Sequence, residues 1–226
     1  MMSQPMRLNL ALIVSCLSIV VSQTTACRAD ANCDQIYEAA KSAVLKHKQT
    51  YLRTPAEAEA GLDSTAADLI SALAQCPDSE DILVLISHIR FQQGRLDESR
   101  EFAMSALEIA PDSAAAHELV ALSSLAMGES ELGLSHFERA FALAPNDSKL
   151  RMNYCSSLEN TGRYQQAVSI CTPLVDNPQF RPVAHYIRGR AYEALGNADQ
   201  ANADYEAAAN LGYSPDAHYP GKQTRQ

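Results

Sequence analysis

Four glycines, Gly94, Gly128, Gly162 and Gly196, recur at equal intervals and define a 34-residue period. A fixed period of this length is the mark of a chain that stacks one small unit on the next. Three prolines, Pro77, Pro111 and Pro145, repeat with the same spacing, each half a period ahead of a glycine. The two series share one frame, so the chain must be locally alike in every 34-residue unit.

The frame divides the chain into units 80–113, 114–147, 148–181 and 182–215. Each opens with an apolar-periodic stretch (Ile82 to Gln93, Ala115 to Met127, Leu150 to Thr161, Val183 to Leu195) that predicts an amphipathic helix. The glycine ends that helix, because a residue without a side chain takes the left-handed conformation a helix stop needs. A second helix opens on polar residues such as Arg95-Leu96-Asp97-Glu98 or Arg163-Tyr164-Gln165-Gln166. It then carries small or aromatic side chains toward the first: Ser99, Ala103 and Ala106; Gly133, Phe137 and Ala140; Ala201, Tyr205 and Ala208. Small residues there let two antiparallel helices approach closely, and the closing proline stops the second helix. Composition agrees: aromatics are 6%, Trp is absent and alanine is abundant, which favours close-packed helices over a sheet sandwich.

These residues resemble the tetratricopeptide repeat family. Its pattern is met by Gly189 and Tyr192, by Ala167 and Ala201, by Phe137 and Tyr205, and by the endings Ala106 to Pro111 and Ala140 to Pro145. The resemblance covers 80–215 and implies an all-α, right-handed α-solenoid of antiparallel helix pairs, about ten helices in all. Unit three departs from the pattern, with Pro173 inside its second helix, Cys171 in place of the aromatic and Pro178 one residue early. Its second helix is expected to be short or kinked.

Upstream, Asp34 to Arg53 and Asp63 to Gln75 read as two more helices, joined by a long connection through Thr54-Pro55 to Gly61. The segment 32–79 is expected to be a degenerate hairpin that caps the stack. Residues 216–226, polar and holding Pro220 and Gly221, are expected to form a frayed tail. Residues 1–31 have the form of a signal peptide: one cation at Arg7, the apolar run Leu8 to Val21, then small residues. Cleavage is expected after about residues 26–31, in a protein that is periplasmic or secreted. Cys16 and Cys27 sit in sequences resembling the box at which bacterial lipoproteins are acylated, so a lipid anchor is the alternative, and the one route to a membrane.

Export exposes the remaining cysteines, Cys33, Cys76, Cys155 and Cys171, to an oxidising compartment. In an antiparallel hairpin the start of one helix lies beside the end of the other, which predicts a Cys33–Cys76 disulfide. Cys155 and Cys171 lie on paired helices but are read as about a turn out of register, which would strain a second bond.

The net charge of -9 repels phosphate backbones, so no nucleic acid partner is expected. The histidines fall in different units, without the spacing that gathers metal ligands on one helix turn, and no phosphate loop or nucleophile elbow is present. No cofactor, no metal and no catalytic residue are expected, and the chain is read as a non-enzyme. The resemblance implies instead a concave groove lined by the first helices, at Val84, His88, Phe91, Leu119, Leu122, Lys149, Asn153, Tyr186 and Arg190, holding a protein or peptide partner. Lys149, Asn153 and Arg190 resemble part of the carboxylate clamp of some proteins of that family. Self-association into a homo-oligomer through an apolar end is the alternative, motivated by Leu195, Leu211 and Tyr213.

Overall fold

The computed structural model describes residues 32–46 and 55–214. The fold is an all-α solenoid of helix pairs, and it divides into two compact units within 1–109 and 110–226. The signal peptide, Cys16, Cys27, the residues 47–53 of the first predicted helix and the tail 216–226 lie outside the described residues.

The first unit holds α1 (32–46), α2 (Pro55–Ala72), α3 (Glu80–Gln92) and α4 (Leu96–Ile109). The predicted connection through Gly61 is instead the first part of α2. Proline suits a helix start, where its missing N–H costs nothing, and the alanines and glutamates after it are strong helix formers. Val44 of α1, Leu62, Ala66 and Leu69 of α2, and Ile82, Leu85, Ile86 and Ile89 of α3 share one core.

The second unit holds α5 (Ala114–Ala126), α6 (Ser130–Leu143), α7 (Ser148–Asn160), α8 (Tyr164–Cys171), α9 (Arg181–Ala194) and α10 (Ala198–Asn210). A 3-10 turn over Thr172–Asp176 follows α8 and contains Pro173, so the second helix of the third repeat is the short one. Phe137 and Tyr154, stacked with ring centres 5.5 Å apart, fill the core between α6 and α7.

Each repeat glycine does what its spacing predicts. Gly94, Gly128, Gly162 and Gly196 have φ between 72 and 86°, the left-handed region. Beyond each, the next N–H reaches back five residues: Arg95 to Arg90, Glu129 to Ser124, Arg163 to Leu158 and Asn197 to Tyr192, at 2.8–2.9 Å. Bonds of this kind satisfy carbonyls that a helix end leaves orphaned. Gly212, at φ 78°, closes α10 in the same way through Tyr213 N–H and the Ala208 carbonyl.

The helix starts carry a further series with the same period. Ser79, Ser113 and Asp147 cap α3, α5 and α7, each accepting a backbone N–H from the first turn. The fourth unit has no such cap; α9 starts at Arg181 with Pro182 in its first turn.

Candidate functional site

In the second unit the first helices of three repeats, α5, α7 and α9, form an inner row, with α6, α8 and α10 packed behind them. Two polar contacts tie the row together. Asn153 of α7 donates its amide to Glu118 of α5 at 2.6 Å. Arg190 of α9 pairs with Glu159 of α7 at 2.9 Å, and Glu159 is only 5% exposed. Burial pushes the Glu118 carboxyl above its ordinary range, and the Asn153 hydrogen bond and the nearby Lys149 only partly pull it back.

The residues expected in the groove therefore do not share one role. Lys149 is exposed, and Asn153, Leu122, Tyr186 and Arg190 are half-buried on the inner row. Leu119 is 5% exposed and belongs to the interior, so it presents nothing to a partner. Leu119 follows Glu118 by about 100° around the helix, which carries it off the open face. Asn153 and Arg190 already serve Glu118 and Glu159, so the expected carboxylate clamp has two of its three donors committed to carboxylates of the chain itself. In the first unit, Val84, His88 and Phe91 lie half-buried along one side of α3, and Gln92 shares a hydrogen bond with His88 at 3.2 Å.

Tyr186 packs on Tyr205 and Tyr213, with ring centres 5.9 and 4.9 Å apart. Burial, then the hydrogen bond Tyr205 donates to Glu193 at 2.6 Å, push the Tyr205 phenol upward. Behind the row, Asp204 of α10, 4% exposed, accepts His185 Nδ1–H at 2.7 Å and a two-pronged contact from Arg188 at 2.7 and 2.8 Å. This network anchors the last helix to α9; neither Asp204 nor Arg188 stands out in the sequence, because the spacing of 16 residues between them acquires meaning only once the hairpin register is known.

The cysteines come together in two pairs. Cys33 and Cys76 face each other as a disulfide pair with Cα atoms 5.9 Å apart. Cys155 and Cys171 do the same at 5.4 Å, which corrects the expectation that they are out of register. Moving each forward by one period gives the reason: the equivalents are Gly189 and Tyr205, where a Cβ on Gly189 would lie 2.9 Å from the ring of Tyr205. In unit three the small-against-aromatic contact is made by two cysteines.

Among the described residues no group of three or more His, Cys, Asp or Glu side chains could hold a metal ion. None of their helices is long and apolar enough to cross a membrane.

A family model described as Tetratricopeptide repeat matches residues 80–113 and 183–211. These are the first and fourth repeats of the frame; units two and three fold as the same hairpins. No curated protein sequence matches the chain. Among solved structures, the chain is similar to YrrB, whose description is a TPR protein with an unusual peptide-binding site (TM-score 0.58, 18% identity, 66% of this chain and 77% of YrrB). It is similar to MamA, at TM-score 0.62 and 14% identity over 85% of this chain and 100% of MamA. TTC0263, a thermophilic TPR protein of Thermus thermophilus, matches at TM-score 0.56 and 16% identity, over 76% of this chain and 90% of its own. Identities this low speak to fold alone. The periodic frame, its glycine-ended hairpins and these matches agree on a tetratricopeptide-type fold, and the first and fourth repeats match that family's model.

Proposed function

We propose that the chain is a non-catalytic scaffold of the cell envelope that holds an extended or helical segment of another protein against the inner row α5, α7 and α9. A protein-protein interaction scaffold is the role the fold supports in general. The observation that carries the finer reading is the row itself, where Asn153, Arg190 and Tyr186 are held in place by Glu118, Glu159 and the rings of Tyr205 and Tyr213 before any partner arrives. Side chains already ordered lose less entropy on binding than free ones. The peptide-binding site in the description of YrrB favours the same use of the fold. The envelope location rests on the signal-shaped residues 1–31 and on two cysteine pairs set at disulfide distance.

The test is affinity capture from envelope extract, comparing wild type with a Tyr186→Ala, Arg190→Ala double variant of equal melting temperature. Recovery of the same partners in the same amounts by both would remove the groove assignment. Mass spectrometry of the mature protein decides its anchoring: an acylated N-terminal cysteine makes it a lipoprotein. Exposure of Leu195 and Leu211, 37% and 43%, favours a second reading in which the end formed by α9 and α10 pairs with another copy. A monomeric mass by light scattering at high concentration would sink it.

A further inference from the structure

The charges of the inner row do not cancel evenly. Arg190 is engaged with Glu159, and Glu193 accepts the Tyr205 hydroxyl. Glu118 has one hydrogen bond, to Asn153 through Oε1, and its second oxygen accepts nothing from the described residues. Half-buried, it sits beside Leu122 one turn along α5, so a charged acceptor and an apolar surface lie next to each other. Lys149 is the cation that acts on it, but it lies exposed and close to Asp147, the capping residue of α7.

We infer that the inner row of the second unit takes a segment presenting one basic side chain, lysine or arginine, to Glu118, with an apolar neighbour on Leu122. This rests on the groove reading above. A carboxylate partner would have to displace Glu159 from Arg190 and would meet Glu118 unneutralised. A cation gives Glu118 the charge-assisted partner its own chain supplies only in part. Burial raises the Glu118 carboxyl, and the same incomplete compensation leaves it raised. The net charge of -9 adds attraction for a basic partner at long range.

The experiment uses three fluorescein-labelled, end-capped peptides that share one alternating apolar and polar frame and differ only in a central residue, Arg, Gln or Glu. Binding is read by fluorescence anisotropy to wild type, Glu118→Gln, the Tyr186→Ala, Arg190→Ala double variant, and Glu131→Gln as a surface control whose side chain is 83% exposed. The Arg peptide is expected to bind about tenfold tighter than the Gln peptide, and Glu118→Gln to erase that difference, as one charge-assisted hydrogen bond requires. Glu131→Gln is expected to leave it intact. If Gln or Glu peptides bind as well as Arg, or Glu118→Gln changes nothing, while the double variant still weakens binding, the charge preference is overturned and the groove reading stands. If no peptide responds to either the Glu118 or the double variant, both fall.

Discussion

Gly133 offers a direct test of the packing argument, because two opposing effects of known size meet at one position. It lies in the second turn of α6, where replacing glycine by alanine gains about 1 kcal/mol of intrinsic helix preference. A Cβ built there, however, would lie 2.5 Å from Leu125 Cγ and 2.9 Å from the Ala121 carbonyl oxygen. The carbonyl is backbone of α5 and cannot yield unless the helix moves. Leu125 Cγ is a branch point, so the whole isobutyl group would have to leave its place against the core. Overpacking of this kind costs about 1–3 kcal/mol, and two close contacts with little freedom to relax put Gly133→Ala at the upper end. The net expectation is a loss of about 1–2 kcal/mol, a fall of about 2–8 °C in melting temperature for a chain of this size. Thermal denaturation followed by circular dichroism measures it. Gly128→Ala is the comparison: nothing lies within 4 Å of its Cβ, but its φ is +86°, so it should lose about 1–2 kcal/mol from backbone conformation alone. Asparagine tolerates the left-handed region, so Gly128→Asn should lose less than Gly128→Ala, and the larger side chain in Gly133→Asn should lose more than Gly133→Ala. A neutral or stabilising Gly133→Ala would refute the close approach of α5 and α6.

Three further outcomes follow from the structure. Cys33→Ser with Cys76→Ser opens a loop whose ends are 43 residues apart, which by chain entropy should lower stability in urea by about 4 kcal/mol; titratable thiols in the unreduced, unfolded wild type would show that the bond is absent. Arg188→Met leaves Asp204 buried with only His185 beside it and should cost about 3–5 kcal/mol, and a melting temperature within a degree of wild type would mean the network adds nothing. His136 is held below its ordinary value of 6.5 by burial and by His117, so the unfolded chain protonates first as pH falls. Its contribution is therefore complete above pH 6.5 and is lost as pH drops through the lower folded value; His136→Leu should flatten that slope in urea midpoints from pH 7.5 to 5, and an unchanged slope would rule it out.

The hairpins are legible in the sequence because a helix stop is a local event: one glycine, one φ, one set of backbone bonds, repeated once per period. The caps Ser79, Ser113 and Asp147 are local in the same way, each a polar side chain set just ahead of an apolar-periodic run. The start of α2 departs from expectation because Pro55 and Gly61 are loop formers by type, whereas proline in a first turn is compatible with helix and the glycine is carried by its neighbours. The inner-row pairs are beyond the reach of local signals. Glu118 and Asn153 are 35 residues apart in the chain, and Glu159 and Arg190 are similarly distant, so each contact depends on how one repeat is set on the next, which no single repeat encodes.

Within a repeat the frame carries more than helix ends. In unit two His117 and His136, 19 residues apart, meet with Nδ1 atoms 2.9 Å from each other. The Pro111 carbonyl can only accept, so His117 Nε2 carries the proton, its Nδ1 accepts, and His136 Nδ1 donates. In unit four the same two positions, two periods on, are His185 and Asp204, again in contact. In unit one they are Leu83 and Phe102, and in unit three Arg151 and Ile170. The hairpin thus fixes which positions meet, while each unit sets the chemistry of the meeting: imidazole against imidazole in unit two, an imidazole N–H donated to a buried carboxylate in unit four. The cysteines obey the same rule at a separation of 16, replacing Gly189 and Tyr205 of the next unit. A repeat sequence is therefore a table of equivalent contacts as well as a row of equivalent residues, and in that table Cys155 and Cys171 stand face to face because Gly189 and Tyr205 do.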